Sequence, residues 1–375
     1  MAFFLRHNLV IMAVAFLVIA LALFASGEGA NFPRLPVVLT GMLFLDDVII
    51  YVLALECLKT ALKERLVFKS LKYNSDAFSY SQTRMISLVS AFPFGLGVSS
   101  FLKGLSENEI ETKPISEGMT TSMLIYPTTL ASGYVFDHLK LTSILDLFSF
   151  GILLCLIVSL PIKLASLREL GTSRLFLAAM CLGIGNYFYL VSVSAFIEHH
   201  FMLKQSLFFI VLAIIINPTV LSTIHVIALT AWRQVFFFVC VGLLGFALIK
   251  TMGDLVNEAV FLAAFGKMII IVPIFLIPVL SILFIHPLAL FLISSPVISP
   301  IIIANGFDPL ETYLVWILML VNAQLLSPVS LTTVLAVGNS RSNVFSESFL
   351  KHYKFALKFS IVGFLYLMGH QLFFS

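Results

Sequence analysis

Apolar residues fall along this chain in blocks of roughly twenty, separated by shorter polar stretches. A helix crossing a bilayer needs about 20 apolar residues. Nine blocks meet that length: 8–26, 35–58, 118–136, 141–163, 174–196, 205–228, 234–251, 310–335 and 356–374. Two others do not fit. The stretch 84–104 is too short to cross twice and is interrupted by Pro93, Gly95 and Gly97. The stretch 259–304 is too long to cross once and carries Pro273, Pro278, Pro287, Pro296 and Pro300. The pattern predicts an all-α polytopic membrane protein of about nine transmembrane helices plus two irregular elements.

Composition supports this. Of 375 residues, 60% are hydrophobic and 11% charged, against about 25% charged in soluble domains. Mean hydropathy is +1.07. Soluble, disordered, collagen-like, solenoid and disulfide-scaffold classes are excluded. The 22 Lys and Arg against 19 Asp and Glu leave a net charge of +3, too small to predict a nucleic-acid partner. Cys57, Cys155, Cys181 and Cys240 lie in or at the ends of apolar blocks with no CxxC or Cys/His spacing, so neither a disulfide framework nor a zinc site is expected. The opening MAFFLRHN and its apolar run resemble a signal peptide, but the run exceeds the usual length of about 7–15 residues. With further spans following, it is expected to stay as a first transmembrane helix.

The placement of charge orients the blocks, because cytoplasmic loops carry the excess of Lys and Arg. Lys59, Lys63, Arg65, Lys69 and Lys72 put the segment after the second block inside, and Arg168 and Arg174 do the same for 163–174. Two crossings already lie between those anchors, so 84–104 enters and leaves on one side as a re-entrant hairpin. Arg233 places a turn at 229–233 inside, and Arg341, Lys351, Lys354 and Lys358 place the last loop inside. The stretch 259–304 then begins and ends outside, bent either near His286–Pro287 or at Ser294–Ser295–Pro296. The N-terminus is expected in the cytoplasm and the C-terminus on the periplasmic side of a bacterial inner membrane. Two hairpins entering from opposite faces, each followed by two spans, define inverted-topology repeats, a plan common in secondary transporters. The expected boundaries are 1–163 for the first repeat (hairpin 84–104), 164–204 for a linking span and 205–375 for the second repeat (hairpin within 259–304).

The span after each hairpin holds a proline among hydroxyl side chains: Pro127 in EGMTTSMLIYPTTLASGY (117–134) and Pro328 in NAQLLSPVSL (322–331). Proline removes one donor and frees a carbonyl one turn back. In a bilayer such groups persist only where protein, water or ligand satisfies them. Freed carbonyls with Thr128, Thr129, Ser327, Ser330 and Asn322 present oxygen ligands suited to sodium; a plain kink with hydroxyls bonded back to the helix is the alternative. Gly95, Gly97 and Ser99 at the first hairpin tip, and Ser294 and Ser295 in the second, are candidates to bind substrate through exposed amides, or else to pack helices closely. Asp46 and Asp47 fall at the centre of the second block, where a carboxylate is costly unless paired, hydrated or protonated; they are candidates for ion coupling, or for pairing with Arg84 or Lys267. Asn186, Asn217, His225 and Asp146 are weaker, and His199–His200 reads as solvated loop. No Walker loop, HExxH, GxSxG or Rossmann fingerprint occurs, so enzyme chemistry has no motif support.

The segments PVISPIIIANGFDPL (296–310) and NAQLLSPVSL (322–331) together resemble the second repeat of the ion transporter superfamily. The nearest patterns are the large membrane subunits of tripartite ATP-independent periplasmic transporters and related bacterial permeases, where an apolar hairpin ends in Gly-x-Asp-Pro and leads into a helix broken at Ser/Thr-Pro. The resemblance implies a scaffold and a transport domain, elevator-type alternating access and frequent homodimers. It also assigns Thr128, Thr129, Ser327 and Ser330 to the ion site. The Ser-Asn-Thr signature of the sodium–dicarboxylate branch is absent, YPTT (126–129) and SPVS (327–330) standing in its place. The expected function is an ion-coupled secondary transporter for a small anionic organic solute. Sodium or a proton is the coupling ion, no other cofactor is expected, and membrane lipid is the surrounding partner. The alternatives are a membrane subunit working with an accessory partner, or a passive channel or lipid translocator.

Overall fold

The computed structural model describes residues 13–23, 46–64, 79–94, 112–127, 130–141, 143–159, 174–194, 200–258, 265–283, 285–328, 330 and 350–373. Every regular element among them is helical. The first half contains α1 (Ala13–Leu23), α2 (Asp46–Glu64), α3 (Tyr80–Phe94), α4 (Thr112–Ser122), α5 (Leu130–His138) and α6 (Ile144–Ser159). It is followed by α7 (Arg174–Ser194), α8 (Phe201–Ile216), a 3₁₀ segment (Pro218–Thr223) and α9 (Ile224–Glu258). The chain then passes through a 3₁₀ turn (Gly266–Ile270), a π turn (Val272–Leu276) and α10 (Ile277–Ser281) to α11 (Pro287–Ala304), α12 (Pro309–Leu326) and α13 (Lys351–Phe373).

The centre of the molecule is α12. Its sequence PLETYLVWILMLVNAQLL is apolar all round, and a helix of that kind must be enclosed by protein. Every residue from Glu311 to Leu326 is buried, and α4, α5, α6, α10, α11 and α13 pack around it. Trp316 stands edge-on to Phe291 of α11, with its indole N–H donating to Ser299 Oγ at 2.9 Å. The start of α12 is fixed by its sequence: Asp308 caps the helix, Pro309 occupies the first turn, and Glu311 completes a reciprocal capping box. Gly306, at φ 91°, supplies the left-handed turn that ends α11.

Two described helices, Pro309–Leu326 and Lys351–Phe373, are long and apolar enough to cross a membrane, and a third if the bent pair Phe201–Ile216 and Pro218–Leu229 is one span. Shorter apolar helices occupy the blocks 8–26, 35–58, 141–163, 174–196 and 234–251. The protein is therefore a helical membrane protein; the expected total of nine spans includes segments outside the described residues.

Three expectations of the pattern change. The block 205–228 is not one straight span: α8 and the segment after it are bent by 115°, because Pro218 follows Asn217 in an extended conformation and the Asn217 Oδ1 accepts from both Thr219 N and Thr219 Oγ1. No turn occurs at 229–233, which lies inside α9: an arginine does not break a helix, whereas Asn-Pro does. In the second irregular stretch α10 ends at Ser281 and α11 begins at Pro287. His286 is extended and its Nδ1 accepts from Leu288 N at 3.2 Å. Ser294, Ser295 and Pro296 lie within the unbroken α11.

Candidate functional site

Both expected proline breaks exist, and each freed carbonyl has a specific donor. In the first, α4 stops at Ser122 and tightens into i→i−3 bonds: Met123 N to Thr120 O, Leu124 N to Thr121 O and Ile125 N to Ser122 O. Pro127 cannot donate to the carbonyl four residues earlier, that of Met123. Tyr313, from the central helix, donates its hydroxyl to that oxygen at 3.3 Å. The break is also held by Tyr126, whose hydroxyl accepts from Asn186 Nδ2 of α7 at 3.1 Å; the same amide donates to Gln205 of α8 at 3.2 Å. Gly151 of α6 lets that helix press against the Leu124 carbonyl, a place a Cβ would occupy.

At the second break, Pro328 leaves the Gln324 carbonyl without its helical donor. Ser330 Oγ donates to it at 2.6 Å. Ser327 is the extended residue that ends α12, and its hydroxyl donates to Ile285 O at 3.3 Å, tying this break to the segment before α11. Ser281 of α10 donates to Ala323 O at 3.2 Å as well as to Pro278 O at 2.6 Å. Asn322 Nδ2 donates to Ser360 Oγ of α13 at 2.7 Å. Among the described residues, the buried amide oxygens of Asn322 and Gln324 accept no hydrogen bond. Unused oxygen acceptors in a dry interior are costly unless a donor or cation joins them.

The structure thus brings together Asn322, Ser327 and Ser330, and adds Gln324, Ser281 and Ser360, which the motif left out. Thr128, Thr129, Gly95, Gly97 and Ser99 lie outside the described residues. The first break meets α12 at Tyr313, about 21 Å of helical rise from Ser327, so the described parts of the two breaks occupy separate levels of the core. Ser295 is buried, and Ser294 Oγ bonds back to Leu290 O at 2.6 Å within α11. Their expected exposure of backbone amides at a hairpin tip is therefore corrected: both are mid-helix, where the backbone N–H groups are used.

The aspartates also differ from expectation. Asp46 and Asp47 open the described part of α2 and are not buried. Asp46 is exposed, its Oδ1 accepting from Asp47 N at 2.9 Å. Asp47 Oδ2 lies 3.0 Å from Nδ1 of His200, itself 61% exposed. The partner is thus His200, expected to be only solvated, and not Arg84 or Lys267. Arg84 instead lies over the Phe355 ring and donates to Val158 O at 3.4 Å.

Among the described residues no group of three or more His, Cys, Asp or Glu side chains could hold a metal ion. Carbonyl, hydroxyl and amide oxygens are the ligands on offer, a set suited to a hard monovalent cation rather than to a transition metal.

Broken, polar-lined helices inside an apolar helical core define a helical membrane protein. The fold is similar to that of a solved structure, the YdaH transporter of Alcanivorax borkumensis, described as having an unusual topology; the match covers 98% of each chain with a TM-score of 0.53 at 12% sequence identity. No protein-family model and no curated protein matches the sequence.

Proposed function

We propose that this chain is an ion-coupled secondary transporter for a small anionic organic solute, built from inverted repeats at 1–163 and 205–375 around the linking span 164–204. Its setting is a bacterial inner membrane, with the N-terminus cytoplasmic and the C-terminus periplasmic. The observation that carries the reading is the second break. Asn322 and Gln324, near the buried end of α12 and next to the Ser327–Pro328 break, each keep a buried amide oxygen without a donor among the described residues. A structural kink would be expected to leave every such oxygen bonded.

The YdaH likeness adds a transporter architecture to this reading, and the matching break at Pro127 supports a repeat. In the elevator form, α12 and the segment before α11 belong to the moving part, since Ser327 bonds across to Ile285. Ion binding at the second break would satisfy the free acceptors and permit movement through the apolar surroundings. Asp46 and Asp47, exposed beside His200, have no part in the buried site on this account.

The test is electrical. Purified protein in liposomes on a solid-supported membrane is challenged with carboxylates, amino acids and phosphate, with and without sodium and at two pH values. A substrate-specific current that requires sodium or an imposed pH difference is expected. Flux that ignores every ion gradient would replace the reading with a passive channel. Recovery of flux only with a co-purified partner would make the chain a subunit of a larger transporter.

A further inference from the structure

One buried ionisable cluster lies apart from both breaks. Glu117 of α4 is 2% exposed and His352 of α13 is 4% exposed. Glu117 Oε2 accepts from the Tyr80 hydroxyl of α3 at 2.6 Å, while its Oε1 lies 3.6 Å from His352 Nδ1. The first distance is that of a charge-assisted hydrogen bond. The second is too long for one, and among the described residues His352 Nδ1 has no hydrogen-bond partner.

We propose that Glu117, Tyr80 and His352 form a proton-binding site, and that a proton held there is coupled to transport alongside the cation at the second break. The assignment rests on the transporter reading above and deepens it.

The geometry has room for one proton in one place. With the carboxylate ionised and His352 neutral, the tautomer with its hydrogen on Nε2 leaves Nδ1 as an acceptor facing Oε1. A proton arriving between Oε1 and Nδ1 is shared by the two atoms and closes the gap as a hydrogen bond. Tyr80 keeps donating to Oε2 throughout. The charges balance in the same way. Arg84 of α3 is buried and within electrostatic reach of Glu117, so the empty cluster carries no net charge and the loaded one carries a single positive charge.

The other groups facing the cluster do not compete. Lys113 lies over the Tyr80 ring at 5.8 Å, Cys155 of α6 neighbours Arg84, and Tyr313 of α12 is committed to Met123. Tyr80, 39% exposed, joins the buried carboxylate to the surface. Tyr80 follows the basic segment 59–72 and His352 lies among Lys351, Lys354 and Lys358, the two regions whose charge marks the cytoplasm. The proton is therefore exchanged with the cytoplasmic side.

The cluster also reaches the machinery. Thr121 Oγ1 donates to the Glu117 carbonyl, and Glu117 precedes the Met123 break by only about 9 Å of helix. Drawing His352 toward Glu117 moves α13 against α4 at that point.

Infrared pH-difference spectroscopy of the full-length protein in lipid nanodiscs tests the site without needing a substrate. A pH-difference band from the shared proton is expected in the wild type, lost in Glu117→Gln and with a moved midpoint in Tyr80→Phe and His352→Gln. An identical band in correctly folded Glu117→Gln would overturn the site. If Glu117→Gln does not fold, unmoved midpoints in both other variants overturn it. Proteoliposomes under an imposed pH difference test the coupling. Solute uptake lost in Glu117→Gln and restored in Glu117→Asp is expected, and equal uptake by Glu117→Gln and wild type would overturn the coupling role. A wild type that takes up no solute but keeps its titrating band would remove the transporter reading and leave the proton site standing.

Discussion

The hydroxyl of Tyr313 donates to the main-chain carbonyl of Met123 at 3.3 Å, across 190 residues of sequence. That carbonyl is the one Pro127 deprives of its helical donor, and Tyr313 sits on the helix that carries the other proline break. The first break is therefore completed by the second broken helix.

Tyr313→Phe should cost about 1–3 kcal/mol, the range for leaving a buried acceptor unsatisfied, while keeping the ring packed on Phe136. Thermal unfolding in detergent, compared with Tyr313→Ala, would separate the hydroxyl from the ring. A Phe variant as stable as wild type would show that water already serves the Met123 carbonyl.

Ser330 and Pro328 should be energetically coupled. Ser330 Oγ bonds the Gln324 carbonyl only because residue 328 has no N–H to offer it. Ser330→Ala alone is expected to lose about 1–3 kcal/mol. In a Pro328→Ala background, where a backbone donor returns, the same change should cost less than about 0.5 kcal/mol. Additive effects in this double-mutant cycle would mean that Ser330 acts on something other than the freed carbonyl.

Close helix contact at Gly118 makes a third case. A Cβ there would collide with the Arg84 carbonyl, a rigid backbone atom, where α3 packs on α4. Gly118→Ala should destabilise by about 1–3 kcal/mol, the usual cost of overpacking, and should separate Tyr80 from Glu117. Gly185→Ala, where nothing lies within 4 Å of the added Cβ, is the control and should be near neutral in the same unfolding assay.

The sequence made the helical class and both proline breaks legible, because apolar block length and Ser/Thr-Pro are local signals. The turn before α12 was readable too, since GFDPLE carries its own cap, proline and capping glutamate. Longer-range features were not. Asp46 and Asp47 looked central because hydropathy continues through 35–58, and nothing local shows that His200 comes to meet Asp47. Glu117 lay one residue outside a span drawn from 118, and His352 lay in what charge marked as loop. Their pairing needs α4 and α13 side by side, a relationship carried by packing across more than half the chain. An ionisable residue at the edge of an apolar block next to a helix-breaking motif was the one signal available.

Glu311 should hold the turn between α11 and α12 to the end of α13. Its side chain completes the cap by accepting from Asp308 N at 2.9 Å; it also pairs with His370 Nδ1 at 2.7 Å and accepts from Gln371, which bonds Gly306 O at 3.1 Å. Removing a cap costs about 0.5–2 kcal/mol, and here two further side chains, His370 and Gln371, would lose a partner. Glu311→Ala is therefore expected to open the turn locally, and hydrogen exchange at 305–312 should rise at least about tenfold. Glu311→Gln keeps a side chain able to accept from Asp308 N but removes the charge that attracts a protonated His370. It should show a smaller rise than Glu311→Ala. Exchange in Glu311→Gln equal to that of the wild type would mean that the cap alone, and not the charge facing α13, holds this turn.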